Sequence, residues 1–275
     1  MRPLQPPLTL INILQSYASY FVRCLKASFA YRGATITNLL TSAASYSITI
    51  LIWRQVYSQN SNLSITSNQM FIYLLLAGCA NYALTMNIEF RISQRIRNGL
   101  VATDLLKPVD FQIAQGIQAI SDGFFNGTMG IMVFLCGFLI FGAKLFPPDF
   151  QSFFLFIVSF LLGFAVMYGI CFVFVQGSFY TYSGYGIMAS RIALQLTFSG
   201  VSAPLAFYPP LLRTIADWLP FRHTIYTPIS IYMGWAKGMD ACGLILQQLA
   251  WVLFLFVLGK VVMKQALKQL EVQGG

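Results

Sequence analysis

The segment QRIRNGLVATDLLKPV, Gln94–Val109, and Arg91 just ahead of it gather Arg91, Arg95, Arg97, Asp104 and Lys107 in a chain of which only 9% is charged. Charges this dense, interleaved with Leu100, Leu105 and Leu106 and stopped at Pro108, suit non-covalent docking: ion pairing plus apolar burial against another surface. Covalent chemistry finds few candidates elsewhere. His223 is the single histidine, which excludes a multi-histidine metal site. Cys24, Cys79, Cys136, Cys171 and Cys242 stand far apart with no C-x-x-C pair, mostly inside apolar runs, as buried thiols do. Asp122, Asp217, His223 and Asp240 make no recognisable catalytic set, and no G-x-x-x-x-G-K-[ST] occurs to cradle a nucleotide phosphate.

The elements that position these residues follow from composition. Hydrophobic residues make up 57% of the 275, 25 of them Phe, and the mean hydropathy is +0.68. A soluble fold cannot cover that much apolar surface, whereas a bilayer is a solvent of the same kind. An all-α integral membrane protein is therefore expected, because helices satisfy their own backbone groups in hydrocarbon and need about 20 apolar residues to cross. Six segments qualify, as one transmembrane domain over 1–275: about Ala34–Trp53, Gln69–Ile88, Gly123–Ala143, Phe153–Val175, Ile192–Tyr208 and Cys242–Gly259, the fifth interrupted by Pro204.

Residues 10–31 read as an amphipathic helix along the inner leaflet, with Leu14, Tyr17, Phe21, Leu25 and Phe29 at helical spacing and Arg23 and Lys26 between them; a plain juxtamembrane lead-in is the alternative. The prolines of MRPLQPPLTL interrupt any signal-peptide core. With the N-terminus inside, twelve of the seventeen basic residues, Arg191 among them, fall in cytoplasmic segments and five in outer ones. Both termini are then cytoplasmic. The net charge of +9 follows from that topology and from anionic lipid headgroups, and no aromatic-interleaved basic patch suggests nucleic acid.

In this topology Arg91–Val109 lies in the cytoplasmic loop between the second and third spans. Ile92, Ile96 and Leu100 recur every four residues, which predicts a short amphipathic helix over 91–106 that Gly99 can bend and Pro108 ends, forcing Lys107 toward an extended shape. Such a helix can rest on lipid or enter a groove of another protein. The predicted span interiors are neutral, and Asp122 stands at a boundary, so an ion-coupled relay is not expected and any transport draws its energy from elsewhere. Small polar residues such as Ser42, Ser45, Asn81, Asn87, Gln195 and Ser199, with Phe198, suit a path for an amphipathic or lipid-like cargo; the same polar residues also bind helices to one another.

IRNGLVATDLLKP resembles the I-x-x-G-x-[IL]-x-x-D-L-L-[KR]-P signature of permease subunits in the ABC-2 (type V exporter-like) family, in the branch of two-permease viologen and drug exporters. FYPPLLRTIADWLPFRHTIYTPISIYMG, Phe207–Gly234, is similar to that family's outer connection. The resemblance implies a coupling helix at 91–106 docking on a separate ATPase subunit. Arg91, Arg95, Arg97 and Asp104 would contact the ATPase, Leu100, Leu105 and Leu106 would seat the helix on the spans, and Lys107–Pro108 would fix its exit. No cofactor is implied for this chain; ATP and magnesium belong to an ATPase dimer, and the second permease is a related chain, as a heterodimer in preference to a homodimer. The setting implied is a bacterial plasma (inner) membrane.

The outer segment 204–235 carries Pro204, Pro209, Pro210, Pro220 and Pro228 among aromatics that include Phe221 and Tyr226. Proline breaks continuous helices and aromatics favour the headgroup level. The resemblance implies short re-entrant helices capping a path; an interfacial loop is the alternative. As a whole the sequence points to a non-enzymatic permease subunit of an exporter, with a non-transporting assembly subunit as the alternative.

Overall fold

The computed structural model describes residues 10–30, 32–60, 63–106, 109–141, 149–181 and 184–269. All regular elements among them are helices. They are α1 (Leu10–Ala30), α2 (Arg32–Gln59), α3 (Ser67–Ala83), α4 (Ile88–Arg97), α5 (Val101–Leu105), α6 (Phe111–Phe141), α7 (Phe150–Val175), α8 (Ser178–Thr181), α9 (Gly184–Phe198), α10 (Pro210–Trp218), α11 (Tyr226–Tyr232) and α12 (Gly238–Ala266), with 3-10 turns at Leu205–Phe207, Pro220–His223 and Leu267–Gln269.

Starts and stops follow local chemistry. Thr66 and Gln69 form a reciprocal capping box ahead of α3, the Asp110 carboxylate accepts from the Ile113 N–H at 3.0 Å at the head of α6, and Asp149 accepts from the Ser152 N–H at 2.6 Å to start α7. Each side chain takes up an otherwise orphaned backbone donor, worth about 1 kcal/mol.

Helix α7 is the hub, packing on α12, α11, α4 and α9, while α6 packs on α3 and α1, and α2 on α3. The buried core gathers Tyr73, Leu74, Ile88, Ile92, Met167 and Ile229. Polar ties cross it. The Gln248 amide of α12 donates to the carbonyls of Ser159 at 2.9 Å and His223 at 2.8 Å and accepts from the Ser159 hydroxyl at 2.8 Å. Outward faces are apolar: Leu40, Ile48, Leu51 and Ile52 on α2, and Leu246, Leu253, Phe254 and Val257 on α12, are all exposed. Exposed apolar faces of this extent fit lipid and not water. Three stretches, Ser67–Arg97, Phe150–Thr181 and Gly238–Ala266, are long and apolar enough to cross a membrane.

The expected elements shift in three places. The second apolar run is interrupted: α3 ends at Ala83, Leu84–Asn87 are non-helical, and α4 follows. Helix α6 begins at Phe111, ahead of the expected Gly123, because Asp122 is tolerated inside it by an ion pair with Arg91. In place of an Ile192–Tyr208 span, α9 runs Gly184–Phe198 and stops before Gly200, whose φ of 79° a side-chain-bearing residue resists. An apolar window excluded Arg191 from that helix, yet Arg191 lies within it and is buried. The N-terminal amphipathic stretch is a helix laid on α6, where the Tyr20 hydroxyl donates to Gln118 at 3.3 Å.

Candidate functional site

The charged segment folds as α4, a turn at Asn98–Leu100, and α5. Ile88, Ile92 and Ile96 of α4, with Glu89 and Ser93, face the bundle. Gly99 then takes φ 69°, and the reversal shifts the register, so that Val101 is fully buried while Leu100 is 44% and Leu106 85% exposed. The expected seating by Leu100 and Leu106 is thereby corrected: Val101 and Leu105 meet the core, and the other two leucines face outward. The residues expected to contact a partner also divide. Arg91 donates through Nη1 to Asp122 at 2.9 Å, Arg95 Nε donates to the buried Asp104 carboxylate, and Arg97 is exposed beside exposed Phe90 and Gln94. Lys107 and Pro108 lie outside the described residues.

Behind α4 stands a charge pair that apolar counting hides. Glu89 is fully buried and accepts from Arg191 Nε. Arg191, 3% exposed, also donates from Nη1 to Gln195 Oε1 at 2.6 Å, and the Gln195 amide donates to Asn81 Oδ1 at 2.9 Å. Asn81 in turn bonds the Tyr46 hydroxyl. One line of polar contacts thus joins α4 to α9, α3 and α2. The helices are held close enough for it: a Cβ on Gly184 would lie 2.4 Å from Ser93 Cβ and 3.0 Å from the Glu89 carbonyl, so only glycine fits at the head of α9. The expectation of neutral span interiors gives way here, since Glu89, Arg191 and Asp122 sit inside packed helices and persist there because each is paired. Arg191 is likewise not a headgroup-facing positive charge.

The line ends on a polar track. Thr41 and Ser42 of α2 border two adjoining cavities, one of about 540 Å³ reaching Arg91 and Asp122, the other of about 240 Å³ reaching Asn81 and Ser202. Of the expected lining residues, Asn87 borders the larger cavity and Asn81 the smaller, with Ser42 and Ser45 beside them. Gln195 is buried and holds Asn81, while Phe198 packs against the separate cluster of Val166, Ile170, Phe221 and Leu255. Ser199 is buried. Asn38, Gln118, Asn126 and Thr49 were not picked out by sequence, although the i, i+4, i+8 repeat of Thr41, Ser45 and Thr49 was a readable signal.

The outer segment divides into an exposed and a buried helix. Pro209 and Pro210 open α10, whose Leu211, Leu212, Ile215 and Trp218 are exposed. Pro204, Pro220, Phe221 and Pro228 are buried, Tyr226 is half-buried, and α11 lies against α7. Tyr73 donates to the Gly200 carbonyl at 2.6 Å and the Tyr226 N–H to the Ser199 carbonyl at 3.0 Å. Burial, reinforced by the Arg222 guanidinium, pushes the His223 imidazole down to about 3.

Among the described residues no group of three or more His, Cys, Asp or Glu could hold a metal ion. The helical architecture and the apolar outward surfaces are those of a membrane protein. A family model described as ABC-2 family transporter protein matches residues 39–274, and the chain belongs to that family. Comparison with curated proteins gives no match. The chain is a multi-pass membrane protein and a permease of an ABC exporter, the component that works with an ATP-binding subunit and is not itself the ATPase.

Proposed function

We propose that this chain is one permease of a two-permease exporter of the viologen and drug exporter branch, pairing with a related, non-identical permease and a separate ATPase dimer to move an amphipathic, lipid-like substrate out of the cytoplasm. Six spans in a bacterial inner membrane, with both termini on the cytoplasmic side, complete the reading: α2, α3, α6, α7 and α12 supply five, and α9 with the chain that follows it to Tyr208 supplies the other. ATP and magnesium are bound by the partner.

The observation that carries the reading is the α4–α5 tip. It offers Phe90, Arg97, Leu100 and Leu106 outward while its root is fixed in the bundle by Glu89, Ile92 and Val101. A surface of exposed leucines is costly in water and suits an apolar socket on another protein, burial of each leucine being worth roughly 1.5–3 kcal/mol. Motion of the socket would reach the polar track through Glu89, Arg191, Gln195 and Asn81. In the outer segment, α11 would dip into the outer leaflet and α10 lie at its surface, capping the track.

The test is purification of the complex with Leu100→Asp and with Leu106→Asp, measuring the ATPase subunit retained and cargo-stimulated hydrolysis. Loss of the subunit with membrane insertion intact is expected. Normal assembly and normal coupling in both variants would make the tip a lipid-resting surface, and transport retained after deletion of the chain would make it an assembly subunit.

A further inference from the structure

We infer that the cavity at Arg91 and Asp122 binds the head of the cargo, and that this head is an oxygen-rich group with a single negative charge on an amphiphile. The inference rests on the transporter reading and names its substrate class.

The cavity has the volume of a small-molecule site, about 540 Å³. Its chemistry is unlike that of an apolar pocket. The amides of Asn38, Asn87, Gln118 and Asn126 line it together with Arg91 and Asp122, the two charged residues at its wall. Asn87 stands at the N-cap position of α4 yet makes no side-chain cap bond, which leaves its amide uncommitted there. Arg91 spends Nη1 on Asp122, while its Nε and Nη2 are buried without a protein partner. These two nitrogens have no surface open to the cavity, so a ligand with acceptor oxygens reaches them through a small shift of the partly exposed Arg91 side chain, a shift favoured because charged donors left unmatched are the costliest polar groups in an interior.

The sign and size of the ligand's charge follow from the same pair. Asp122 already balances Arg91, so the wall is neutral overall and a second negative charge on the ligand would add repulsion from Asp122 with nothing to offset it, while a cationic head would set its ammonium against donors that seek an acceptor. A carboxylate or phosphodiester satisfies both conditions. The amides around it donate to its oxygens and accept from its hydroxyls. Ala27, Tyr82 and Phe125 also border the cavity and can pack the first carbons of a chain, so the site takes the head of an amphiphile with the start of its tail and leaves the rest outside.

The experiment uses the purified complex in maltoside micelles and a twelve-carbon carboxylate carrying a diazirine beside its carboxyl, photolysed and mapped by peptide mass. Adducts are expected on 38–42, 87–91 and 118–126, falling about tenfold in Arg91→Gln. A trimethylammonium probe of equal length is expected to label these peptides weakly. Excess laurate should suppress labelling and the same concentration of acetate should not. Asn38→Ala and Asn87→Ala keep the ion pair and are expected to reduce labelling about threefold, so the test survives if Arg91→Gln fails to assemble. Unchanged labelling in these variants, equal labelling by the ammonium probe, or equal suppression by acetate would overturn the assignment. Retention of the ATPase subunit is measured on the same sample: a complex that retains it without labelling the cavity refutes the head site alone, and an unaltered chain that never retains it refutes the transporter reading beneath.

Discussion

Glu89 of α4 and Arg191 of α9 form an ion pair that is buried on both sides, Glu89 fully and Arg191 to within 3% of full burial. Two charges taken out of water regain little net stability from each other, so a buried pair is better explained by specificity or switching than by strength. Here the pair fixes α4 to α9, about two turns along α9 from Gly184, whose lack of a side chain lets the helices approach closely.

Removing one partner strands the other in an apolar interior. Glu89→Gln or Arg191→Met alone is expected to cost about 3–5 kcal/mol, read as a large fall in melting temperature of the purified complex. The double variant Glu89→Met with Arg191→Met should recover most of that loss while cargo-stimulated hydrolysis stays impaired. Recovery of both would reduce the pair to a structural tie.

Val101 and Leu106, five residues apart, should respond in opposite ways. Val101→Asp places a carboxylate where the chain is fully buried and is expected to lower expression and stability of the permease itself. Leu106→Asp sits on an exposed surface and should leave melting unchanged while weakening ATPase binding by about tenfold or more, the equivalent of roughly 1.5 kcal/mol of lost burial. Equal melting temperatures for the two variants would contradict the register seen across Gly99.

Gly163 of α7 meets the outer segment through backbone. A Cβ there would stand 2.9 Å from the His223 carbonyl and 3.0 Å from that of Thr224, contacts that cannot be relieved by a side-chain rotation. Gly163→Val is expected to cost about 1–3 kcal/mol and to expose a cysteine placed at Ser230, buried in the unaltered chain, to thiol labelling. An unlabelled Cys at 230 would show the outer segment held by other contacts.

The pH dependence of stability carries the sign of His223. Its folded-state pKa of about 3 lies below the unfolded value of about 6.5, so the unfolded chain takes up protons first. Stability from the neutral imidazole is complete above about 6.5 and is lost as pH falls toward 3. Between pH 7 and 5 the melting temperature should fall less steeply in His223→Gln than in the unaltered protein; parallel slopes would mean that other groups set the dependence.

The helical class and its membrane setting were legible because composition and apolar run length report the solvent directly. The helical, amphipathic character of 91–106 was legible, its orientation only partly. A four-residue repeat read through Gly99 placed Leu100 with Ile92 and Ile96, but the positive φ at Gly99 advanced the register and put Val101 inside instead. The pairing of Glu89 with Arg191 escaped notice for the opposite reason. Windows that reject charge end at such residues, and a pairing between positions 102 apart in sequence has no local signature. Asp122 was moved to a boundary by the same rule, although Arg91 holds it inside α6. Asn87 and Ser42 were picked for their chemistry and do border the polar track; Gln195 was picked for the same chemistry and proved to be the tie behind Asn81.

Everything proposed for coupling depends on what touches the α4–α5 tip. A photocrosslinking amino acid at Leu106, in the complex reconstituted into lipid vesicles, reads this contact directly. The account predicts a covalent adduct with the ATPase subunit, abolished when Arg97 and Leu100 are replaced by Glu and Asp. Adducts with lipid alone, unchanged by those substitutions, would contradict it.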